Sequence, residues 1–208
     1  MAIQRALRDD VVECALPRTT RLVAGADLAF SPDGRRCIAG IVVWDRVDAG
    51  VVEEVTAVRP ARFPYIPGLL SFREAPALLA AARKLEHVPD AWIFDGQGRA
   101  HPRRFGLACH VGVLLNQPTI GCAKSRLCGK HTEPSIRRGA CVGLYENGDR
   151  IGSVLRTRDG VKAVYVSVGH RVTLAEAVKL VAGCCTKYRL PEPTRLADQL
   201  VSRRRRNV

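Results

Sequence analysis

Residues 21–58 constrain the fold most, because three largely apolar runs, the third β-branched at most positions, follow one another with short turn segments between them. Arg21–Phe30 reads as a strand, Ser31-Pro32-Asp33-Gly34 as a hairpin turn, Arg36–Trp44 as a second strand and Val51–Val58 as a third. Short turns join neighbours antiparallel, so the chain opens as an antiparallel meander. The pattern then switches. Ser71–Glu86, rich in Ala and Leu, predicts a helix, and Asp90–Asp95 predicts a short buried parallel strand. Pro102–Leu115 predicts a helix with Pro near its start, and Pro118–Cys122 another strand. Strands at Ala140–Tyr145, Ile151–Arg156 and Ala163–Val168 and helices at Leu174–Ala182 and Thr194–Arg203 complete the chain. Three antiparallel strands followed by parallel ones, with helices between, place the chain in the α/β class: a mixed sheet flanked by helices, in one domain over residues 1–208.

Charge narrows the partner. Lys and Arg outnumber Asp and Glu by 33 to 20, a formal net charge of +13, which suits a polyanion and above all nucleic acid. Charge alone does not separate a nuclease from a non-catalytic basic binding module. Arg203–Arg206 open a basic C-terminal tail, residues 203–208, which reads as a solvated terminus with a phosphate contact as the alternative. No run of about eighteen apolar residues occurs, so no membrane span is expected. The N-terminus lacks the long apolar run of a signal peptide. The eight cysteines include no Cys-x-x-Cys pair, so buried thiols in a reducing cytoplasm are expected rather than a structural zinc site. A monomer is expected.

Some residues break the apolar pattern. Asp27 interrupts the first strand, and Asp95 ends the Asp90–Asp95 strand just before Gly96-Gln97-Gly98. Strand ends are where open α/β sheets bind ligands. Acids gathered there repel one another unless a cation lies between them, and oxygen-only ligands favour Mg²⁺ or Mn²⁺. Unrelated turn acids are the plain alternative. Glu74 closes Ser71-Phe72-Arg73-Glu74, a capping-box pattern, and on that evidence it caps a helix. Pro76 argues for a helix that starts after the box. Phe63-Pro64-Tyr65-Ile66-Pro67-Gly68 reads as a stiff loop, with Tyr65 either packed inward or held out as a wedge between bases. His101 reads as a cap, a surface residue, or a contact to phosphate or water. Lys124 reads as an exposed lysine or as a cation beside the acids.

Three blocks carry a resemblance: Pro64–Glu74, Asp95–His110 and Thr119–Leu127. Weaker matches are Gly25-Ala26-Asp27, Val166–His170 and Pro191–Leu196. Together they resemble the endonuclease V family over nearly the whole chain and in family order. The resemblance implies an RNase H-like fold and Mg²⁺ or Mn²⁺ dependence. It also implies cleavage of the second phosphodiester bond 3′ to a deoxyinosine, leaving 3′-hydroxyl and 5′-phosphate ends. By position, Asp27, Glu74 and Asp95 match the family's active-site carboxylates and Lys124 its lysine. His101 matches the histidine after the Asp-Gly-x-Gly turn, and Tyr65, within Pro64-Tyr65-Ile66-Pro67, matches the aromatic wedge. Asp198 falls at a further metal-site position in the last helix. Val168 stands where many members have proline, and Cys109 where serine is common.

An extruded base tested in a tight pocket is how such a lesion would be read. Gly68, Leu70, Gly96, Gly106 and Gly121 are the matched candidates for its wall, ordinary turn geometry being the alternative for the glycines. Damaged DNA is the expected partner. An inosine-specific ribonuclease and a general structure-selective nuclease are the competing enzymes.

Overall fold

In the computed structural model, which describes residues 2–66 and 68–206, the three opening strands are β1 (Leu22–Phe30), β2 (Arg36–Asp45) and β3 (Gly50–Pro60). They pair antiparallel as expected. β4 (Ala91–Phe94) and β5 (Thr119–Ala123) then add in parallel beside β1. The last three strands, β6 (Cys141–Glu146), β7 (Asp149–Leu155) and β8 (Val164–His170), return antiparallel. The parallel part is therefore confined to β1, β4 and β5. The eight strands form one sheet in the order β3-β2-β1-β4-β5-β8-β7-β6.

Helices α2 (Leu70–Ala82) and α3 (Leu107–Leu115) lie on one face, packed through Ala24, Ala26, Ile41, Leu78, Trp92, Phe94 and Val111. On the other lie α4 (Leu174–Cys184) and α5 (Glu192–Arg205), over Val23, Ile93, Ile120, Val166, Leu180 and Val181. Successive side chains of a strand point to opposite faces. That is why Val23 and Ala24, and again Trp92 and Ile93, divide between the two cores. Gly25 sets how closely α5 sits: a Cβ there would lie 2.0 Å from the backbone carbon of Pro193. With no side chain at that point, the start of α5 rests on β1, and Asp198 follows Thr194 by about one turn.

Several expected boundaries change. A first helix, α1 (Ala2–Arg8), precedes the meander; one of only about two turns is too short for its pattern to stand out in the sequence. The helix expected from Pro102 starts at Leu107, because residues 102–106 turn back, with Arg104 left-handed at φ 56° and the Gly106 amide on the Gly98 carbonyl at 3.0 Å. The helix expected over Ser71–Glu86 runs Leu70–Ala82 and keeps Pro76 inside it. The arginine run is the last turn of α5 as far as Arg205, with Arg203 3.4 Å from Glu54. Asn207 and Val208, the end of the expected tail, lie outside the described residues. No helix among the described residues is long and apolar enough to cross a membrane. All eight cysteines are free thiols, five of them buried.

His110, on α3, links the helices. It is buried, with its ring 4.7 Å from Phe72 and 5.5 Å from Phe105 and its Nδ1 3.1 Å from Ser71 Oγ. Burial pushes its pKa down from 6.5 to about 4. The unfolded chain takes this proton near pH 6.5 and the folded chain resists it to about pH 4. The histidine therefore costs stability as pH falls through that window, by about 2–3 kcal/mol at the acid end. Melting wild type and His110→Gln side by side from pH 7.5 to 4.5 isolates the effect, since other titrations cancel in the difference. The wild type is expected to lose relative to the variant on acidification; a difference independent of pH would refute the assignment.

Candidate active site

The parallel pairings stop at one level, although β1 runs on to Phe30 beside β2. Ala26 is in register with Phe94, and Phe94 with Gly121. Asp27 and Asp95 each follow a paired residue on neighbouring strands, which lie about 4.8 Å apart. Lys124 follows the end of β5.

Asp27 is pushed up to about 7, first by burial and then by the charge of Asp95, with Asp198 adding to it. Glu74 reaches the same region from α2. The capping box does not form: the helix starts at Leu70, its N-cap is Leu69 without a side-chain cap, and Ser71 turns its hydroxyl to His110. The favoured capping reading of Glu74 is thereby corrected. The Glu74 carboxyl is buried and pushed up to about 8, by burial first and then by Asp27, with a further contribution from Asp95. Lys124 supplies the counter-charge. Its Nζ lies 2.5 Å from Asp95 Oδ2 and 3.9 Å from Asp198 Oδ1. Asp95 is the largest favourable influence on this ammonium, followed by Asp27 and Asp198, which together hold its pKa above 10.5 against burial.

Among the described residues no three His, Cys, Asp or Glu side chains converge on a ready-made metal cage. The acids are bridged by an ammonium instead. The donor set still fits a hard divalent cation. All four candidates are carboxylates, two of them are held partly protonated by burial and mutual repulsion, and Lys124 already fills the role of a cation among them.

Beside the acids is a cleft of about 300 Å³, at the small end of ligand pockets, roughly 300–1,000 Å³. Of the expected base-pocket residues, Gly68, Leu70, Gly96 and Gly106 line it; so do Tyr65, Glu74, Asp95 and His101. Gly121 does not. A Cβ there would sit 2.4 Å from the Gly98 amide nitrogen, so its bareness lets the 96–98 turn lie on β5. Ser71, Gln97, Leu107 and Leu127 line the cleft without having been singled out. Gln97 donates to the Ser125 carbonyl and leaves its own buried Oε1 without a partner among the described residues. Its place between two motif glycines was the one signal for it.

His101 is buried, which overturns the surface reading, and its Nδ1 caps the local turn by accepting from the Arg103 amide at 3.2 Å. Burial, and then the charge of Arg103, lower its pKa to about 4, so the imidazole is neutral at pH 7. Tyr65 is 67% exposed, which overturns the inward-packed alternative, and Pro64 and Ile66 are exposed beside it. Pro67, the other expected wedge residue, lies outside the described residues.

An eight-stranded mixed sheet with acids and a lysine at its parallel strand ends, bordered by a cleft, defines an RNase H-like nuclease domain. The endonuclease V family model matches residues 5–199. Endonuclease V of Nostoc sp. (strain PCC 7120) is 51% identical over 205 residues, covering 98% of this chain and 93% of the relative. The crystal structure of endonuclease V from Streptomyces avermitilis superposes with a TM-score of 0.95 at 44% identity, covering 99% of this chain and 91% of that one. That of Ciona intestinalis endonuclease V, bound to a 24mer DNA containing an inosine followed by a ribo-adenosine, gives 0.85 at 26% identity, covering 99% and 96%. The chain belongs to the endonuclease V family.

Proposed function

We propose that this protein repairs deaminated adenine in DNA, cutting the second phosphodiester bond 3′ to a deoxyinosine with the help of Mg²⁺ or Mn²⁺. The observation that carries this reading is that Asp95 and Glu74 belong at once to the acid cluster and to the lining of the cleft. A base lodged in the cleft therefore holds its own strand against the acids. The inosine-containing ligand of the Ciona relative supports the same reading.

Asp27, Asp95 and Glu74 would hold the metal, with Asp198 beside them. When bound, the ion supplies charge that polarises a phosphate and acidifies a water. Lys124 brings its ammonium to the scissile phosphate. Neutral His101 offers one hydrogen-bonding nitrogen to water or to a phosphate oxygen. Water adds to phosphorus and the P–O3′ bond breaks, leaving a 3′-hydroxyl and a 5′-phosphate. Hypoxanthine carries a 6-oxo group where adenine has an amine and lacks guanine's 2-amino group, and a tight cleft is suited to testing both edges. Every group named comes from one chain, so a monomer suffices. The free thiols suit a reducing cytoplasm.

The test is a strand bearing one inosine, incubated with Mg²⁺ or with chelator. Nicking one nucleotide beyond the lesion's own 3′ bond, lost on chelation, is expected; metal-independent nicking or a cut at random positions would reject the reading. Tyr65→Ala is expected to weaken binding to an inosine-containing duplex by about tenfold while cutting of single strands changes little. Equal losses on both would remove the wedge. The ribo-adenosine beside the inosine in the Ciona ligand gives the RNA reading its own footing. Matched DNA and RNA substrates, turned over side by side, decide between them.

A further inference from the structure

Helix α1 buries a single residue, and that residue is polar. Gln4 is fully buried, while Ile3 beside it is 61% exposed. A helix this short is not stable by itself, so something other than apolar burial holds it. The Gln4 amide is fully used. Its Nε2 donates to the Gly68 carbonyl and to the Phe105 carbonyl, both at 3.0 Å, and its Oε1 accepts from Arg103 Nε at 2.6 Å. Arg103 in turn donates through Nη2 to the same Gly68 carbonyl.

These contacts meet at the cleft. Gly68 lines it at the foot of the Tyr65 loop, and Gly106, next to Phe105, lines it from the turn before α3. Downstream of α1 the chain stays tied across the fold, with Arg171 N donating to Val12 O at 2.6 Å and Leu16 N donating to Glu176 at 3.2 Å. The family match begins at residue 5, so nothing in it assigns Gln4 a role. A buried amide with both donors and its carbonyl engaged is costly to disturb.

We propose that Gln4 is a positioning residue whose side-chain amide ties the Gly68 wall of the cleft to the Phe105–Gly106 wall and so fixes the width that selects the base. The assignment rests on the reading of the cleft as the base pocket. Gln4→Leu and Gln4→Met keep the volume and remove the amide, and either serves if the other does not fold. Gln4→Glu keeps the acceptor for Arg103 and loses the donors, and is expected to fall between them and wild type.

Two measurements test the brace. Without nucleic acid, hydrogen exchange in Gln4→Leu is expected to quicken over residues 68–72 and 103–107 and to stay unchanged in β1 and β4. With substrates, the ratio of kcat/KM for an inosine strand to that for a uracil strand is expected to fall about tenfold, the equivalent of about 1.4 kcal/mol. Unchanged exchange over those segments overturns the brace. A wild type that prefers inosine, beside a variant with the same preference, overturns the selectivity role alone. A wild type without preference for inosine overturns the reading of the cleft and the selectivity role together, and the exchange result still decides the brace.

Discussion

Asp95→Ala is expected to lower turnover on an inosine-bearing strand by about a thousandfold or more, while binding of the same strand stays within about threefold of wild type. Asp95 is the point at which the site's parts meet: it pairs with Lys124 at 2.5 Å, its charge acts on Asp27 and Glu74, and it lines the cleft. Removing it deletes a carboxylate from the set proposed to hold the metal and takes away the lysine's nearest partner. Binding survives for an electrostatic reason, because a chain of net charge +13 loses one negative group beside a polyanion. Asp95→Asn, which keeps the shape and removes the charge, is expected to behave the same way in turnover. Single-turnover cleavage and equilibrium binding, measured on one oligonucleotide, separate the two quantities. Wild-type turnover in either variant would remove Asp95 from the chemistry. A proportional loss of binding would instead recast it as a recognition residue.

How much of this was legible before the fold was known differs from residue to residue. The meander was readable because its runs are largely apolar and separated by turn residues, the third being β-branched at most positions. Asp27 and Asp95 stood out because an acid within or at the end of an apolar strand breaks the run. Their adjacency was not readable, since it depends on β1 and β4 pairing in parallel across about 65 residues of intervening chain, a register that no local signal encodes. Glu74 was ambiguous for a definable reason: the same four residues that spell a capping box also place an acid on the first turns of α2, and only the turn of Ser71 toward His110 decides between them. Gln4 was invisible, because a buried amide on a short helix looks the same in sequence as a solvated one. Gly121 misled, because close backbone packing and a pocket wall both call for glycine.

Lys124→Met separates two roles of one ammonium, the one proposed for it at the phosphate and the one it has among the acids. As the proposed charge at the scissile phosphate, its loss is expected to slow single-turnover cleavage by about a hundredfold to a thousandfold. As the cation between Asp95 and Asp198, its loss leaves the acids facing one another uncompensated. The metal-free variant is then expected to melt below wild type at pH 8, above the value of about 7 to which Asp27 is pushed. A divalent ion relieves the same repulsion and no longer competes with an ammonium for Asp95, so it is expected to bind the variant severalfold more tightly and to raise its melting temperature further. Calorimetric titration with Mg²⁺ and melting with and without chelator read this directly, with no dependence on turnover. Slowed cleavage together with an unaltered metal-induced shift would leave Lys124 only its role at the phosphate, and would mean that the carboxylates gather around an ion without first expelling the lysine. A larger shift together with undiminished cleavage would mean the reverse: an internal cation that holds the acids in place until metal arrives and takes no part in the cut.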